Sequence, residues 1–242
     1  MPKGAHTNEE MRKSRQVREM FGSIAARYDL LNHLLSGGMD RRWRRACATE
    51  VASRLEGVNP RILDIGCGTG DLSMDFPGPA WVVGCDFCGP MLEIGCAKIR
   101  AAGRSGQIAL LAADALMLPF ADSCFDAVVS AFVLRNLANR EQGLSEMRRI
   151  LRPGGIIGIV DFSMPTAPVL GALYHYYFFR ILPRLGKLIS GVDGPYRYLP
   201  ESVGNFPGPD DLRPRIESAG FTSVEYRLLT GGVAVLLLGI AE

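Results

Sequence analysis

No stretch of this 242-residue chain is apolar for the roughly 18 to 20 residues that a membrane-crossing helix needs. The nearest run, Val169 to Leu182, is shorter and is broken by His175 and Arg180. Histidine is scarce. His6, His33 and His175 stand at none of the spacings that pair metal ligands, so no metal is expected. Charge of one sign is equally lacking: 27 Lys+Arg against 25 Asp+Glu leave a formal net charge of +2. That excess is too small for non-specific nucleic-acid binding, and no nucleic acid is expected as a partner. The opening stretch MPKGAHTNEEMRKSRQ has no apolar core of a signal peptide. The six cysteines, Cys47, Cys67, Cys85, Cys88, Cys96 and Cys124, are therefore expected as reduced, cytosolic thiols. Cys85-x-x-Cys88 has no second pair or His cluster beside it and reads as apolar filler at a strand end.

What is present is a chain able to build a core. Hydrophobic residues make up 48% and charged ones 21%, which excludes wholesale disorder, and the length suits one α/β domain with decorations. From Arg61 short apolar runs alternate with longer helix-compatible stretches, the rhythm of βαβ units on a mostly parallel sheet. Strands are predicted at Arg61–Ile65, Trp81–Cys85, Gln107–Leu111, Phe125–Ala131 and Gly155–Asp161, with helices around Asp71–Asp75, Pro90–Ala102 and Arg140–Leu151. Arg152-Pro153-Gly154-Gly155 reads as a helix stop before the fifth strand. Residues 164–207, rich in aromatics, Pro and Gly, form an insertion. A helix at Pro209–Ala219 and a closing antiparallel pair, Thr222–Leu229 and Val233–Ile240, follow. Residues 1–56 read as an N-terminal helical flank or lid, and 57–242 as the main domain.

The sharpest motif is Leu63-Asp64-Ile65-Gly66-Cys67-Gly68-Thr69-Gly70-Asp71, between a predicted strand and a predicted helix. In an open α/β sheet the ligand crevice lies at the carboxyl ends of the strands, and glycines there let backbone approach the ligand. The spacing is G-x-G-x-G. A dinucleotide pyrophosphate calls for G-x-G-x-x-G, which argues against a nicotinamide cofactor. Asp86 follows the second strand, where a carboxylate accepts hydrogen bonds from both ribose hydroxyls. Asp114-Ala115 follows the third, where an acid accepts from an adenine amino group. Each feature alone has a plainer reading: glycines for tight packing, Asp86 as an N-cap, Asp114 as a turn cap. Together, at successive strand ends, they describe a nucleoside site.

These residues resemble a class I S-adenosylmethionine-dependent methyltransferase. Further segments are similar to the ubiquinone/menaquinone biosynthesis C-methyltransferase family: Ala25-x-x-Tyr28-Asp29-x-x-Asn32-x-x-x-Ser36-x-Gly38 with Trp43, Leu134-Arg135-Asn136, Leu151-x-Pro153-Gly154-Gly155, Asp161-Phe162-Ser163 and Tyr196-Arg197-Tyr198-Leu199-x-Glu201-Ser202. The resemblance runs from about Met20 to Gly232. It implies a Rossmann-like class I methyltransferase fold, with a seven-stranded mostly parallel sheet, the last strand antiparallel, and helices on both faces. It implies C-methylation of a polyprenyl quinol ring, 2-demethylmenaquinol to menaquinol or the corresponding ubiquinone step, with S-adenosylhomocysteine as the other product. The implied cofactor site comprises Asp64, Gly66, Gly68, Thr69, Asp86, Asp114, Ala115 and Ser130. Arg135 and Asn136 fall at the reacting centre, and Tyr28, Asn32, Tyr196 and Tyr198 border the quinol. A methyltransferase for another phenolic or lipid acceptor, and a cofactor-binding assembly protein without catalysis, stay open as alternatives.

A sulfonium methyl is already activated, so the difficulty lies with the nucleophile. A ring carbon attacks when its neighbouring hydroxyl ionises, and lowering a phenol pKa of ~10 by ~3 units takes about 4 kcal/mol of phenolate stabilisation. Arg135 is the candidate to supply it, holding the phenolate or a water that takes the proton. In-line positioning of donor and acceptor contributes ~7–11 kcal/mol more. His33, in an apolar run, reads as a satisfied core histidine rather than a base. The polyprenyl tail calls for a membrane-surface contact, assigned to 169–187: Tyr174, Tyr176, Tyr177, Phe178 and Phe179 beside Arg180, Arg184 and Lys187. The protein is expected in the cytoplasm, peripheral to the inner face of the membrane, and self-association stays open. Two departures from the family pattern stand out. Leu72–Ala80 is short and carries two prolines, which predicts a truncated first helix and looser backing of Thr69-Gly70. The family's terminal Leu-His-Arg-Gly is Leu236-Leu237-Leu238-Gly239 here, read as strand packing.

Overall fold

Alternating apolar side chains along seven strands bury both faces of one sheet. The computed structural model describes residues 7–165, 167–190 and 194–242; the side chains of 170, 187–190 and 194–197 lie outside the described set. Three helices come first, α1 (Asn8–Ile24), α2 (Tyr28–Leu35) and α3 (Met39–Ala52). The α/β alternation follows: β1 (Arg61–Ile65), α4 (Asp71–Asp75), β2 (Trp81–Asp86), α5 (Gly89–Ala101), β3 (Ile108–Ala112), β4 (Phe125–Ala131), α6 (Arg140–Ile150) and β5 (Leu151–Phe162). The insertion holds α7 (Pro168–Tyr176), a π-helical turn at Tyr177–Ile181, α8 (Leu182–Ser190) and α9 (Gly194–Gly204). The chain closes with α10 (Pro209–Ser218), β6 (Phe221–Leu229) and β7 (Ala234–Ala241).

Strand order is β3-β2-β1-β4-β5-β7-β6, with β7 alone antiparallel to its neighbours. This is the seven-stranded, doubly wound sheet that the sequence implied. The two-residue period of the strands sorts side chains between two layers. Leu63, Ile65, Val128, Ile157, Ile159 and Leu237 pack toward α6 and α10. Ile62, Ala127, Val129, Ile156, Val160 and Leu236 pack toward α3, α4 and α5. Helix α3, within the stretch read as a flank, thus belongs to a sheet-covering layer through Trp43, Cys47, Ala48 and Val51. Leu236–Leu238 lie buried in β7, the packing expected of them.

Two local expectations need correction. The helix stop at Arg152–Gly155 does not precede the fifth strand. Leu151 already pairs with Phe125, and the ladder resumes at Ala127 and Ile156, so the Pro-Gly-Gly stretch is an irregularity inside β5. The second concerns the short segment after the Gly-rich turn: its helix is truncated as expected, but Thr69 is backed by Asp29 and Lys98 and the helix end by Arg104. That helix ends at Asp75, and Arg104 Nη1 donates to Met74 O (2.6 Å), Arg104 Nη2 to Phe76 O (3.0 Å) and its Nε to Gln107 Oε1 (3.1 Å). The guanidinium takes carbonyls that a longer helix would have bonded internally.

Replacing Arg104 by Ala is expected to lower stability by about 1–3 kcal/mol, the cost of stranding part-buried acceptors, and to lower Tm by several degrees. Thermal unfolding followed by circular dichroism measures this; an unchanged Tm would mean that water replaces the guanidinium at no cost.

Candidate active site

The carboxyl ends of β1, β2, β4 and β5 converge, and the loops that leave them carry the chemistry. At the first, the backbone reverses through Gly66, Gly68 and Gly70, all at positive φ (64°, 54° and 80°). Gly66 has no substitute: a Cβ there would sit 2.4 Å from Val133 Cγ2. Asp86, at the end of β2, accepts from Gly68 N (2.9 Å) with one oxygen and from Cys88 N (2.8 Å) with the other. Burial pushes its carboxyl upward, and these backbone donors oppose the shift. A carboxylate has about four lone-pair sites, so acceptor capacity is left for further donors.

Two small cavities, of about 40 and 60 Å³, share Gly66, Asp86, Phe87, Val133, Asn136 and Leu137 and form the ends of one cleft. Asp114 and Ala115 line the first and Gly68 the second. Helix α1 covers both through Ser14, Val17 and Phe21. It is tied down by Lys13 Nζ to Leu137 O (2.9 Å) and by Asn139 Nδ2 to Glu10 Oε1 (3.0 Å).

Three of the residues assigned to the cofactor lie beneath this cleft rather than on its walls. Thr69 Oγ1 donates to Asp29 Oδ1 (2.6 Å) and accepts from Lys98 Nζ (3.1 Å). Asp64, 1% exposed, accepts from Ser73 Oγ (2.6 Å) and leaves its other oxygen unpartnered. Ser130 is fully buried with an unpartnered hydroxyl. Asp29 also pairs with Lys98 (2.7 Å), Lys98 pairs with Asp71, and Arg44 bridges Asp71 (3.0 Å) and Asp40 (2.5 Å). His33 Nδ1 lies 2.7 Å from Asp40, partnered as expected. This charge cluster fastens α2 and α3 onto the Gly-rich turn.

A larger cavity of about 240 Å³ adjoins the cleft, since Phe21, Tyr28 and Phe132 line both. Its walls are mainly apolar: Leu31 and Leu35 of α2, Trp43 of α3, Phe162, and Tyr174, Phe178 and Leu182 from the insertion. Two buried cations line it, Arg44, already engaged with Asp40 and Asp71, and Arg135, which is 6% exposed. Its Nη1 donates to Asp161 Oδ1 (2.7 Å) and Phe132 O (2.5 Å), its backbone N–H reaches Asp161 Oδ2 (3.3 Å), and its guanidinium lies 5.2 Å from the Phe162 ring centroid. Arg135 Nε has no partner. Phe132 adopts φ +65°, rare for an aromatic residue and costly by about 1–3 kcal/mol. The carbonyl it presents accepts from both Arg135 and Asn136 Nδ2 (3.0 Å). Asn136 Oδ1 in turn accepts from Tyr198 OH (3.1 Å), which joins the cleft to the cavity.

Tyr28, Asn32 and Tyr198 therefore line the larger cavity with Arg135, while Asn136 faces the cleft. Asn32 hydrogen-bonds the buried Tyr28 phenol, whose pKa burial raises. The side chains of Tyr196 and Lys187 lie outside the described residues. The aromatic run of the insertion needs correction as a surface: Phe178 is 2% exposed and Tyr174, Tyr177 and Phe179 pack inward with it. Among the described side chains of α7, the exposed large hydrophobic ones are Val169, Leu173 and Tyr176. Sequence reasoning assigned no role to Asp161, Phe132 or Arg44. Asp161 had the same signal as Asp86, an acid at a strand's carboxyl end. Among the described residues, no cluster of His, Cys, Asp and Glu has the makings of a metal site.

The model of the ubiE/COQ5 methyltransferase family matches residues 9–241. Among curated relatives, the demethylmenaquinone methyltransferase of Thermus thermophilus is 51% identical over 91% of this chain and 99% of its own length. The ubiquinone/menaquinone biosynthesis C-methyltransferase of a Geobacter species is 43% identical over 94% of this chain and 97% of its own. The crystal structure of the [4+2]-cyclase SpnF superposes with a TM-score of 0.67 at 17% identity, covering 94% of this chain and 96% of that one. A SAM-dependent methyltransferase from Aquifex aeolicus does so at 0.57 and 17%, covering 81% and 89%. At that identity the likeness is one of fold, and a cyclase among the matches illustrates why function is argued from the site.

Desolvation pushes the Asp64 carboxyl up to about 7 from an ordinary 3.8. The folded chain then binds more protons than the unfolded one across that interval, so this group's contribution to stability falls as pH rises through it. The slope is at most on the order of 1.4 kcal/mol per pH unit. Asp64→Asn is expected to flatten the decline of stability from pH 4 to 7 in urea unfolding; identical slopes for the two proteins would refute the assignment.

Proposed function

The chain belongs to the ubiE/COQ5 methyltransferase family, and from that premise we propose that it transfers a methyl group from S-adenosylmethionine to a ring carbon of a polyprenyl quinol, converting 2-demethylmenaquinol to menaquinol. The observation that carries this reading is the adjacency of two unlike spaces: a cleft lined by Gly66, Asp86 and Asp114, and a mainly apolar cavity lined by the buried Arg135. The corresponding C-methylation in ubiquinone biosynthesis is the second reading, supported by the Geobacter relative's name.

The cleft fits the cofactor in its donor set. Backbone at Gly66 and Gly68 approaches without a Cβ, Asp86 keeps acceptor capacity for the ribose, and Asp114 and Ala115, which line the same cleft, are the residues that would hold the adenine edge. When bound, S-adenosylmethionine supplies an electrophilic methyl on sulfur. The protein's own residues do the rest. Arg135 stabilises the oxyanion next to the reacting carbon, and its charge acts strongly because the apolar walls exclude water. Asp161 holds that guanidinium in place and lets it stay buried. The methylated ring carbon would pass its proton to the neighbouring oxygen held by Arg135, which restores aromaticity, and the proton released overall, the one lost from that hydroxyl when it ionised, would go to water.

For the apolar tail of such a substrate, we place the protein at the cytoplasmic face of the membrane. Support comes from the exposed Val169, Leu173 and Tyr176, with Arg180 and Arg184 also exposed, and from Leu30 and Leu34 on the outer side of α2. Among the described residues no helix is long and apolar enough to cross a membrane.

Methyl transfer from radiolabelled S-adenosylmethionine to short-tail demethylated naphthoquinol and benzoquinol tests the reaction and ranks the two acceptors. In the same assay Arg135→Lys is expected to lower turnover about 10²–10³-fold, as for other lost transition-state donors, with Kd for S-adenosylhomocysteine nearly unchanged; parallel losses in both would remove Arg135 from the acceptor side. In flotation with anionic vesicles, the double change Leu173→Ser and Tyr176→Ser is expected to release the protein. Flotation indifferent to it would exclude α7 as the contact.

A further inference from the structure

The polar groups that line the larger cavity are nearly all satisfied by the protein itself. Tyr28 is bonded to Asn32, Tyr177 OH donates to Leu35 O (2.8 Å), and Tyr198 OH to Asn136 Oδ1. Thr230 Oγ1 accepts from Trp43 Nε1 (2.8 Å). Among the residues that line it, the buried side-chain atoms without a partner in the protein are Arg44 Nε, Arg135 Nε and the Tyr174 hydroxyl. The two arginines are otherwise engaged with Asp40, Asp71 and Asp161. Tyr174 alone of these three has no hydrogen bond at its polar end.

A buried phenol that forgoes its hydrogen bond is costly, and native structures rarely tolerate one without a use for it. The Tyr174 ring is held in place, stacked on Phe178 at 5.0 Å between centroids and 21° between planes, and Phe178 is itself buried. It also lies within electrostatic reach of Arg135. Besides Arg44, which is held between Asp40 and Asp71, the cavity residues include two polar groups that are not saturated, the Arg135 guanidinium and this hydroxyl. A quinol ring has two oxygens to match them, and the one beside the reacting carbon belongs to Arg135.

We propose that Tyr174 donates a hydrogen bond to the second ring oxygen of the acceptor, and so selects rings carrying two oxygens across from one another over rings carrying one. The proposal rests on the quinol reading of the site and adds the residue that recognises the far side of the ring. Burial raises the Tyr174 pKa, so the hydroxyl remains a donor throughout the neutral range. Discrimination of this kind works by gain: only a ligand that carries the second oxygen relieves a phenol that the unliganded protein leaves unsatisfied.

The test uses binding, so that it is independent of turnover. Under reducing conditions and with S-adenosylhomocysteine present, Kd is measured by fluorescence for 1,4-dihydroxynaphthalene and for 1-naphthol, on wild type and Tyr174→Phe. The variant is expected to bind the diol about tenfold more weakly and 1-naphthol about as well as the wild type does, the size of one lost hydrogen bond in a mainly apolar site. A diol affinity that does not change, equal weakening of both probes, or no binding of the diol by the wild type would overturn the proposal. In the wild type alone, 4-methoxy-1-naphthol keeps an acceptor oxygen at that position and is expected to bind closer to the diol than 1-naphthol does; binding no better than 1-naphthol would count equally against it. Turnover of the short-tail quinol by the wild type is read separately. Its absence would sink the reaction while leaving the ratio of probe affinities to decide on Tyr174.

Discussion

A guanidinium and a carboxylate buried together, Arg135 against Asp161, are the constraint from which the rest of the site follows. Neither ion would be tolerated alone in so apolar a setting, because an unpaired buried charge costs several kcal/mol. The sheet supplies the pairing. β4 and β5 are parallel neighbours in register, Ala131 opposite Val160, so the segments that leave their carboxyl ends start side by side. Phe132 then turns through a left-handed conformation that presents its carbonyl to both Arg135 and Asn136. The strain is local and is offset by two hydrogen bonds, one of them charge-assisted. Asp161 neutralises Arg135 over distance without consuming all its donors, which suits a cation that must meet an anion formed during reaction.

The second constraint is the attachment of the N-terminal helices. The apolar cavity is not a property of the sheet. One wall comes from α2 and α3, another from the insertion between β5 and β6, and Leu31 and Leu35 of α2 pack against Phe178 and Leu182 of the insertion. Asp29, Asp40, Arg44, Asp71 and Lys98 fasten the first wall to the loop that carries the Gly-rich turn. Thr69, a residue of that turn, spends its hydroxyl on this attachment. Cleft and cavity are therefore mechanically joined at one loop, and a shift in the packing of α2 bears on both. The partial burial of these ion pairs makes them more valuable than surface pairs, which are worth little singly.

Much of the fold was legible because it depends on local patterns. The strands at Arg61–Ile65 and Phe125–Ala131 and the helix at Asp71–Asp75 fall where the apolar runs and the Gly-rich turn put them. The irregular start of β5 was missed because Arg-Pro-Gly-Gly ends a helix by the same chemistry with which it kinks a strand. The amphipathic sense of α7 was also missed. With aromatics at nearly every position from Tyr174 to Phe179, the composition names no inner face, and burial of Phe178 but exposure of Tyr176 is settled by what packs beneath.

By itself the sequence determined the α/β class, the turn that needs glycine at a positive φ, and the acids at strand ends, since each is a relation among residues close along the chain. It also held Arg135 and Asn136 in a recognisable segment. Only the tertiary structure decided that Asp161 neutralises Arg135, that Thr69 serves the N-terminal helices, that Asp64 and Ser130 lie beneath the cleft, and that Tyr174 is left without a partner. Arg135 and Asp161 are 26 residues apart and Thr69 and Asp29 are 40 apart, and such relations exist only once burial has removed water as the competing hydrogen-bond partner.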